Sequence, residues 1–406
     1  MPASSVKFSI SIVLLLILCG CQSYRYFQTP SQALLKTETV VLPSRFSCGA
    51  IFVKAAIGDD IPRWFFFDTG SAVIALSEKF YPASAMNEAA FTMQLVDVTG
   101  ESESRPVVLL NDISIGDASL DHVSAVVVSD SGMSAIDDVL GEEVAGIIGI
   151  NAFTDFTIKV DYEQEVVALS HDPVGSENGS DILRFRSVQH RPHINSRINN
   201  RRYSVLLDTG VTGRPHTGSL LRRITPSIVP GDLVVTPNGS YRQGMAKLDA
   251  DISFGQYVFK QPLVSVDLES SNDRPEEFII YGESVLRNFV SEFDMVNKRV
   301  KLESQTGASS FQPESWHTIG IGFEWLDGEW FVRDFVPGTL VQQTPISLGD
   351  KVHSLNGEPF DIKSFCEMER KNAPIVLGIE RREGGDEAGS RSQQMDIQLP
   401  VTILIN

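Results

Sequence analysis

Trp64-Phe65-Phe66-Phe67-Asp68-Thr69-Gly70 recurs in the chain as Ser204-Val205-Leu206-Leu207-Asp208-Thr209-Gly210. In each copy a short apolar run, suited to a buried strand, ends on a carboxylate followed by a hydroxyl and a glycine. The likeness extends in both directions. Upstream, Phe52 to Ile57 turns at Gly58-Asp59-Asp60 and His193 to Ile198 turns at Asn199-Asn200, which predicts a hairpin at each motif. Downstream, Thr99-Gly100 and Asn238-Gly239 mark turns between apolar runs. The spacing from Gly100 to Ile113-Ser114-Ile115-Gly116 equals that from Gly239 to Ile252-Ser253-Phe254-Gly255. Further on, Ile147-Ile148-Gly149 is followed by Phe153, Phe156, Asp161 and Leu169. Ile280-Tyr281-Gly282 is followed at identical offsets by Leu286, Phe289, Asp294 and Leu302. The chain is therefore read as two copies of one β-rich unit, over 40–170 and 182–303, with 171–181 as the linker.

The 406 residues are 42% hydrophobic, enough to bury more than one core. The apolar runs are rich in Val, Ile and Phe and broken by Gly, Asp, Asn and Pro, so the fold class expected is all-β. A formal net charge of -18 argues against nucleic acid or anionic lipid as a bulk partner.

A buried strand that ends in Asp places a charge at the edge of a core, which is costly unless the position has a task. If the copies face each other about a pseudo-twofold axis, Asp68 and Asp208 meet. Two carboxylates a few ångströms apart cannot both ionise, so the pair shares a proton. Thr offers a hydroxyl to cross-link the two loops, and Gly lets backbone approach the carboxylate. No His or Cys cluster has metal spacing, and no metal or cofactor is expected. His190 and His193, in an Arg-rich stretch, are read as surface residues.

Two apolar residues before Asp-Thr-Gly, with a later pair of apolar residues before Gly, resemble the lobes of the pepsin and retropepsin aspartic proteases. The resemblance covers both repeats and implies duplicated retropepsin-like lobes forming a bilobal acid-protease fold. It implies an endopeptidase that hydrolyses peptide or protein substrates by a water held between Asp68 and Asp208. Thr69 and Thr209 then interlock the lobes, Gly70 and Gly210 support the site, and a flap lies at Thr99-Gly100. With both aspartates on one chain a monomer suffices. The second copy departs from the pattern in Val211-Thr212-Gly213-Arg214-Pro215-His216, where an apolar strand start is the norm. A rival use of the same residues is a non-catalytic envelope protein whose cleft holds peptides.

Lys7 precedes an apolar stretch from Ile12 to Leu18, too short for a comfortable membrane span and read as a secretory signal. Its ending, Leu18-Cys19-Gly20-Cys21, resembles the lipobox of bacterial lipoproteins. That resemblance implies loss of 1–20 and a lipid anchor on Cys21, which faces the periplasm and, with no Asp at Gln22 or Ser23, favours the outer membrane. Residues 21–39 are expected to be a flexible tether. Cys48 and Cys366 then remain, in different domains, and no bridge between them is expected.

Residues 304–315 read as a linker. From 316 to 404, Gly320-Ile321-Gly322-Phe323, Pro337-Gly338-Thr339, Gly349-Asp350-Lys351-Val352 and Asn356-Gly357 follow in the order of a PDZ domain, which the segment resembles. Asp361 is expected to cap a helix carrying Ile362, Phe365 and Cys366. The resemblance implies that the loop Gly320, Ile321, Gly322 and Phe323 holds the terminal carboxylate of a partner's C-terminal tail.

Overall fold

The computed structural model describes residues 32–82, 88–96, 102–129, 133–175, 180–218, 220–236, 239–268, 279–383 and 391–405. The regular secondary structure of the described residues is nearly all strand. Alternation explains the decisive one. In strand Arg63–Asp68 the side chains of Phe65 and Phe67 enter the main core, while Trp64 and Phe66 pack on the opposite face with Phe52 and Leu140. Both faces of the strand are covered, so an unbroken apolar run is what the position requires. Ala50–Ile57 pairs antiparallel with it, Phe52 opposite Phe66, through the turn at 58–60.

Strand Gly146–Gly149 runs parallel on its other side, with Ile148 opposite Phe67 and Gly149 opposite Asp68. The second lobe repeats this. Arg191–Ile198 and Arg201–Leu207 form a hairpin whose turn residues, Asn199 and Asn200, are both left-handed at φ 48° and 62°. Ile279–Tyr281 lies parallel to Arg201–Leu207, with Leu207 opposite Tyr281.

A six-stranded sheet joins the lobes, in the order Ile182–Arg184, Arg299–Ser304, Phe289–Asp294, Thr157–Asp161, Val166–Ser170, Thr39–Val41. At its centre Thr157 pairs with Asp294 and Asp161 with Val290. Asp161 and Asp294 are the repeat-equivalent residues, so this register is symmetric under exchange of the lobes. Above the sheet one continuous core takes Phe67, Phe153 and Phe156 from the first lobe and Tyr281, Phe289 and Phe293 from the second.

Residues 316–405 build a separate core around Ile319, Phe323, Val332, Leu377 and Ile379. Their main sheet runs Ile321–Leu326, Glu329–Phe335, Lys351–Leu355, Ile375–Glu383, Arg391–Leu399. The helix Ile362–Arg370 starts after Asp361, whose side chain accepts the Ser364 N–H at 2.8 Å and buries Ile362 and Phe365 behind it.

Four expectations are corrected. Cys48 and Cys366 form a disulfide, with Cα atoms 5.3 Å apart. Cys48 sits with Gly49 at a left-handed hairpin tip of lobe 1, and the docked C-terminal module brings its helix to that tip. Within the stretch expected to be tether, Gln32–Leu35 pairs with Ala118–Asp121 and Thr39 opens the strand Thr39–Val41 of the sheet between the lobes. Within the segment read as a linker, Ser310–Phe311 pairs with Tyr257–Phe259, and Phe311 stacks on Phe259 at 4.4 Å. His193 is buried at 6% exposure, since its strand pairs it with Leu206 inside lobe 2. Burial, then the charges of Arg191 and Arg186, push its imidazole down to about 4.

Candidate active site

Asp68 and Asp208 each end a strand or directly follow one, and the next residues knit the two loops together. The Thr69 N–H donates to Thr209 Oγ1 at 3.0 Å, and the Thr209 N–H donates to Thr69 Oγ1 at 3.0 Å. Each hydroxyl then donates across the interface: Thr69 Oγ1 to the Leu207 carbonyl at 2.9 Å, Thr209 Oγ1 to the Phe67 carbonyl at 3.0 Å. Both threonines are fully buried, so these four bonds satisfy groups that water cannot reach.

The glycines explain themselves by space. A Cβ on Gly70 would stand 2.1 Å from an Asp208 carboxylate oxygen, and one on Gly210 would stand 2.5 Å from the Asp68 carboxyl carbon. Each glycine thus leaves room for the other lobe's carboxyl. Gly149 and Gly282 do the same one layer back. Their added Cβ atoms would meet the Val73 carbonyl at 2.4 Å and the Val211 carbonyl at 2.3 Å. The residue after each then donates to the active-site loop, Ile150 N–H to the Ser71 carbonyl and Glu283 N–H to the Val211 carbonyl. The repeat recognised in the sequence is a repeat in geometry.

The two carboxyls hydrogen-bond to each other, and burial raises both above the ordinary carboxylate range. They are not equivalent. Asp68 accepts the N–H of Gly70 at 2.7 Å and of Ser71 at 3.0 Å, and those donors favour its ionised form. Asp208 accepts Gly210 N–H at 2.7 Å. Burial, and next the negative charge of Asp68, drive Asp208 well above the usual range. The extra N–H donor on Asp68 therefore favours ionisation of Asp68 over Asp208.

Arg191 was no candidate in the sequence, where it belongs to an Arg-rich stretch. Two residues along from the His193–Leu206 pair the strand register brings it level with Asp208, and its charge favours the ionised form of both aspartates. Only the repeat could have pointed to it, through Ala50 at the equivalent place in lobe 1.

Thr99 and Gly100, the expected flap tip, lie outside the described residues, as do Cys21 and Asn238. Strands Glu88–Val96 and Ser102–Leu110 lead toward that tip, and Ile228–Thr236 with Gly239–Lys247 forms the counterpart hairpin in lobe 2. Gly320 sits at φ 76° against Thr339, and Ile321, Gly322 and Phe323 open the outer strand of the C-terminal sheet, remote in sequence from the aspartates. Among the described residues no group of three or more His, Cys, Asp or Glu is placed to hold a metal ion. No helix among them is long and apolar enough to cross a membrane.

Residues 53–152 match a family model described as aspartyl protease, a stretch that contains Asp68 and the strand Gly146–Gly149. Comparison with curated proteins returns no match. Among solved structures the chain is similar to an aspartic proteinase from Irpex lacteus, at 15% identity and a TM-score of 0.42, over 67% of this chain and 99% of that one.

Proposed function

We propose that the protein is an aspartic endopeptidase whose dyad is Asp68 and Asp208. The observation that carries this reading is the reciprocal threonine lock, which holds two carboxyls in mutual hydrogen bond with a glycine of the opposite lobe beneath each. In this reading Asp68, as the carboxylate, takes a proton from a water bound between the pair. The water oxygen bonds to the scissile carbonyl carbon while Asp208 gives its proton to the carbonyl oxygen. The resulting gem-diol collapses as Asp68 returns a proton to the amine nitrogen, the C–N bond breaks, and Asp208 recovers its proton from the diol. Substrates are peptides or proteins, the working form is a monomer, and no cofactor takes part.

The location proposed is the bacterial envelope, with Cys21 lipidated and the protein facing the periplasm at the outer membrane. The disulfide Cys48–Cys366 supports an oxidising compartment of that kind. The order of elements in residues 316–404 supports a PDZ-like module, whose use is taken up below. The test is incubation of the protein with a diverse peptide pool over a pH series, with Asp68→Asn in parallel. Cleavage by the wild type alone supports the enzyme. No cleavage by either at any pH overturns it in favour of a non-catalytic peptide-binding protein.

A further inference from the structure

Strand Ile321–Leu326 is the outer strand of the C-terminal sheet and is hydrogen-bonded on one side, to Glu329–Phe335. Such an edge presents a row of backbone N–H and C=O groups to whatever lies beside it, and extended peptides bind by adding to it. Here the neighbour is lobe 1 of the same chain. Asp138, on the helix Ser134–Leu140, accepts the Trp325 N–H on Oδ1 at 2.7 Å and the Arg333 guanidinium on Oδ2 at 2.9 Å. Just past that helix, Gly141 passes so close to the Trp330 ring that a Cβ would come within 2.9 Å. The helix is anchored in its own lobe by the Ser47 hydroxyl, which donates to the Val139 carbonyl at 2.6 Å. The residue after Ser47 is Cys48, bonded to Cys366 on the module's helix, and Lys363 of that helix pairs with Glu165 of lobe 1 at 2.7 Å.

The residues just ahead of the loop expected to hold a tail's carboxylate are bonded within the module, and the first N–H of the loop, on Gly320, donates to Thr318 Oγ1 at 2.9 Å. Glu369 of the module accepts the Ile319 N–H at 2.8 Å and the Thr318 hydroxyl at 3.0 Å, directly ahead of Gly320. An open strand edge is what a peptide receptor offers, and here a side chain of the same chain meets it at Trp325.

We propose that the strand edge Ile321–Leu326 is a docking surface for lobe 1 of its own chain, with Asp138 standing where a partner's backbone would pair. The Cys48–Cys366 disulfide decides whether that docking is permanent or reversible. With the disulfide formed, the edge stays beside Asp138 at a very high effective concentration. A dithiol reductant of the thioredoxin class changes this. Two electrons and two protons convert Cys48 and Cys366 to thiols, and the reductant becomes a disulfide. The module then stays on the lobes through the packing of Trp316 and Val336 on Met245 and Leu263 and through the Arg242–Asp334 pair. The edge itself is held only by the Asp138 contacts and opens to an extended segment of another protein. The inference stands on the strand edge and the disulfide and is independent of the proteolytic reading.

Amide hydrogen exchange at Trp325 in the intact chain tests it, with Val332, bonded to Asp350 inside the module, as control. In the oxidised protein Trp325 should exchange slowly. Asp138→Ala should speed Trp325 by about ten- to a hundredfold, as expected for an N–H that loses a charged acceptor, and leave Val332 unchanged. Dithiothreitol should speed Trp325 alike and reveal binding of a fluorescein-labelled random decapeptide pool. Cys366→Ser, with its fold checked by circular dichroism, should behave as the reduced protein. Unchanged Trp325 exchange on reduction, or equal binding of the pool by oxidised and reduced protein, overturns the proposal. Because neither readout needs catalysis, an inactive dyad leaves the test intact.

Discussion

Thr69 and Thr209 hold each other: the backbone N–H of each donates to the hydroxyl of the other at 3.0 Å. Neither lobe can complete this arrangement alone, so the spacing of Asp68 and Asp208 depends on the docking of the lobes and not on either loop.

Thr209→Val keeps the shape and removes the hydroxyl, leaving the Thr69 N–H and the Phe67 carbonyl without their partner in a buried site. Stability is expected to fall by about 1–3 kcal/mol. Peptide cleavage should fall more steeply than stability, since the aspartates lose their register. Urea unfolding and kcat measured on the same preparation check this. A variant with wild-type kcat would show that the threonine lock does not set the geometry of the dyad.

Asp68→Asn and Asp208→Asn are each expected to abolish cleavage while the fold persists, because the pair needs one ionised and one protonated carboxyl. Both variants should unfold at or above the wild-type temperature near neutral pH, where the wild type carries a buried charge. Turnover close to wild type in either variant contradicts the assignment of the dyad.

Asp137 and Asp138 are each pushed up to about 6, with burial the main cause. An aspartate in the unfolded chain titrates near ~3.9. Between those values the folded chain binds more protons than the unfolded one. The stability these groups contribute is therefore present at low pH and lost as pH rises through about 6. Thermal unfolding followed at pH 5 and pH 7 should show the wild type gaining Tm on acidification, and Asp137→Asn gaining less. An equal gain in both would mean that Asp137 carries no part of the effect.

Removing residues 316–406 should lower both stability and the cleavage of short peptides. Trp316 and Val336 cover Met245 and Leu263 of lobe 2, and Arg242 of lobe 2 pairs with Asp334 at 2.6 Å. Truncation exposes that apolar patch and deletes the Cys366 half of a disulfide that spans 318 residues, a constraint of a kind worth typically about 2–5 kcal/mol. Retention of full activity and full Tm by the truncated chain would show the module to be an independent appendage.

Much of the site is legible in the chain because local rules suffice for it. Alternation places Phe65 and Phe67 on one face, paired asparagines turn the hairpin at Asn199-Asn200, and Asp361 caps its helix through a bond within one turn. The duplication then implies a facing pair of Asp-Thr-Gly loops, since a repeated half-core buries its open face best against its own copy. None of this requires knowing which surfaces of different domains touch.

What the chain did not disclose depends on such surfaces. Cys48 and Cys366 are 318 positions apart, and nothing near either one marks the other as its partner. Nothing in the sequence singles out Asp138, which the module's strand edge covers, and Arg191 lies in an Arg-rich stretch until the register sets it beside Asp208. The strands, the turns and the two aspartates could be read along the chain, because periodicity and turn chemistry act over a few residues. The unequal donors at Asp68 and Asp208, and the side chain that covers the module's edge, came from the packing of distant segments. Burial, hydrogen-bond donors and docking are properties of the space around a residue, and that space is assembled from distant parts of the chain.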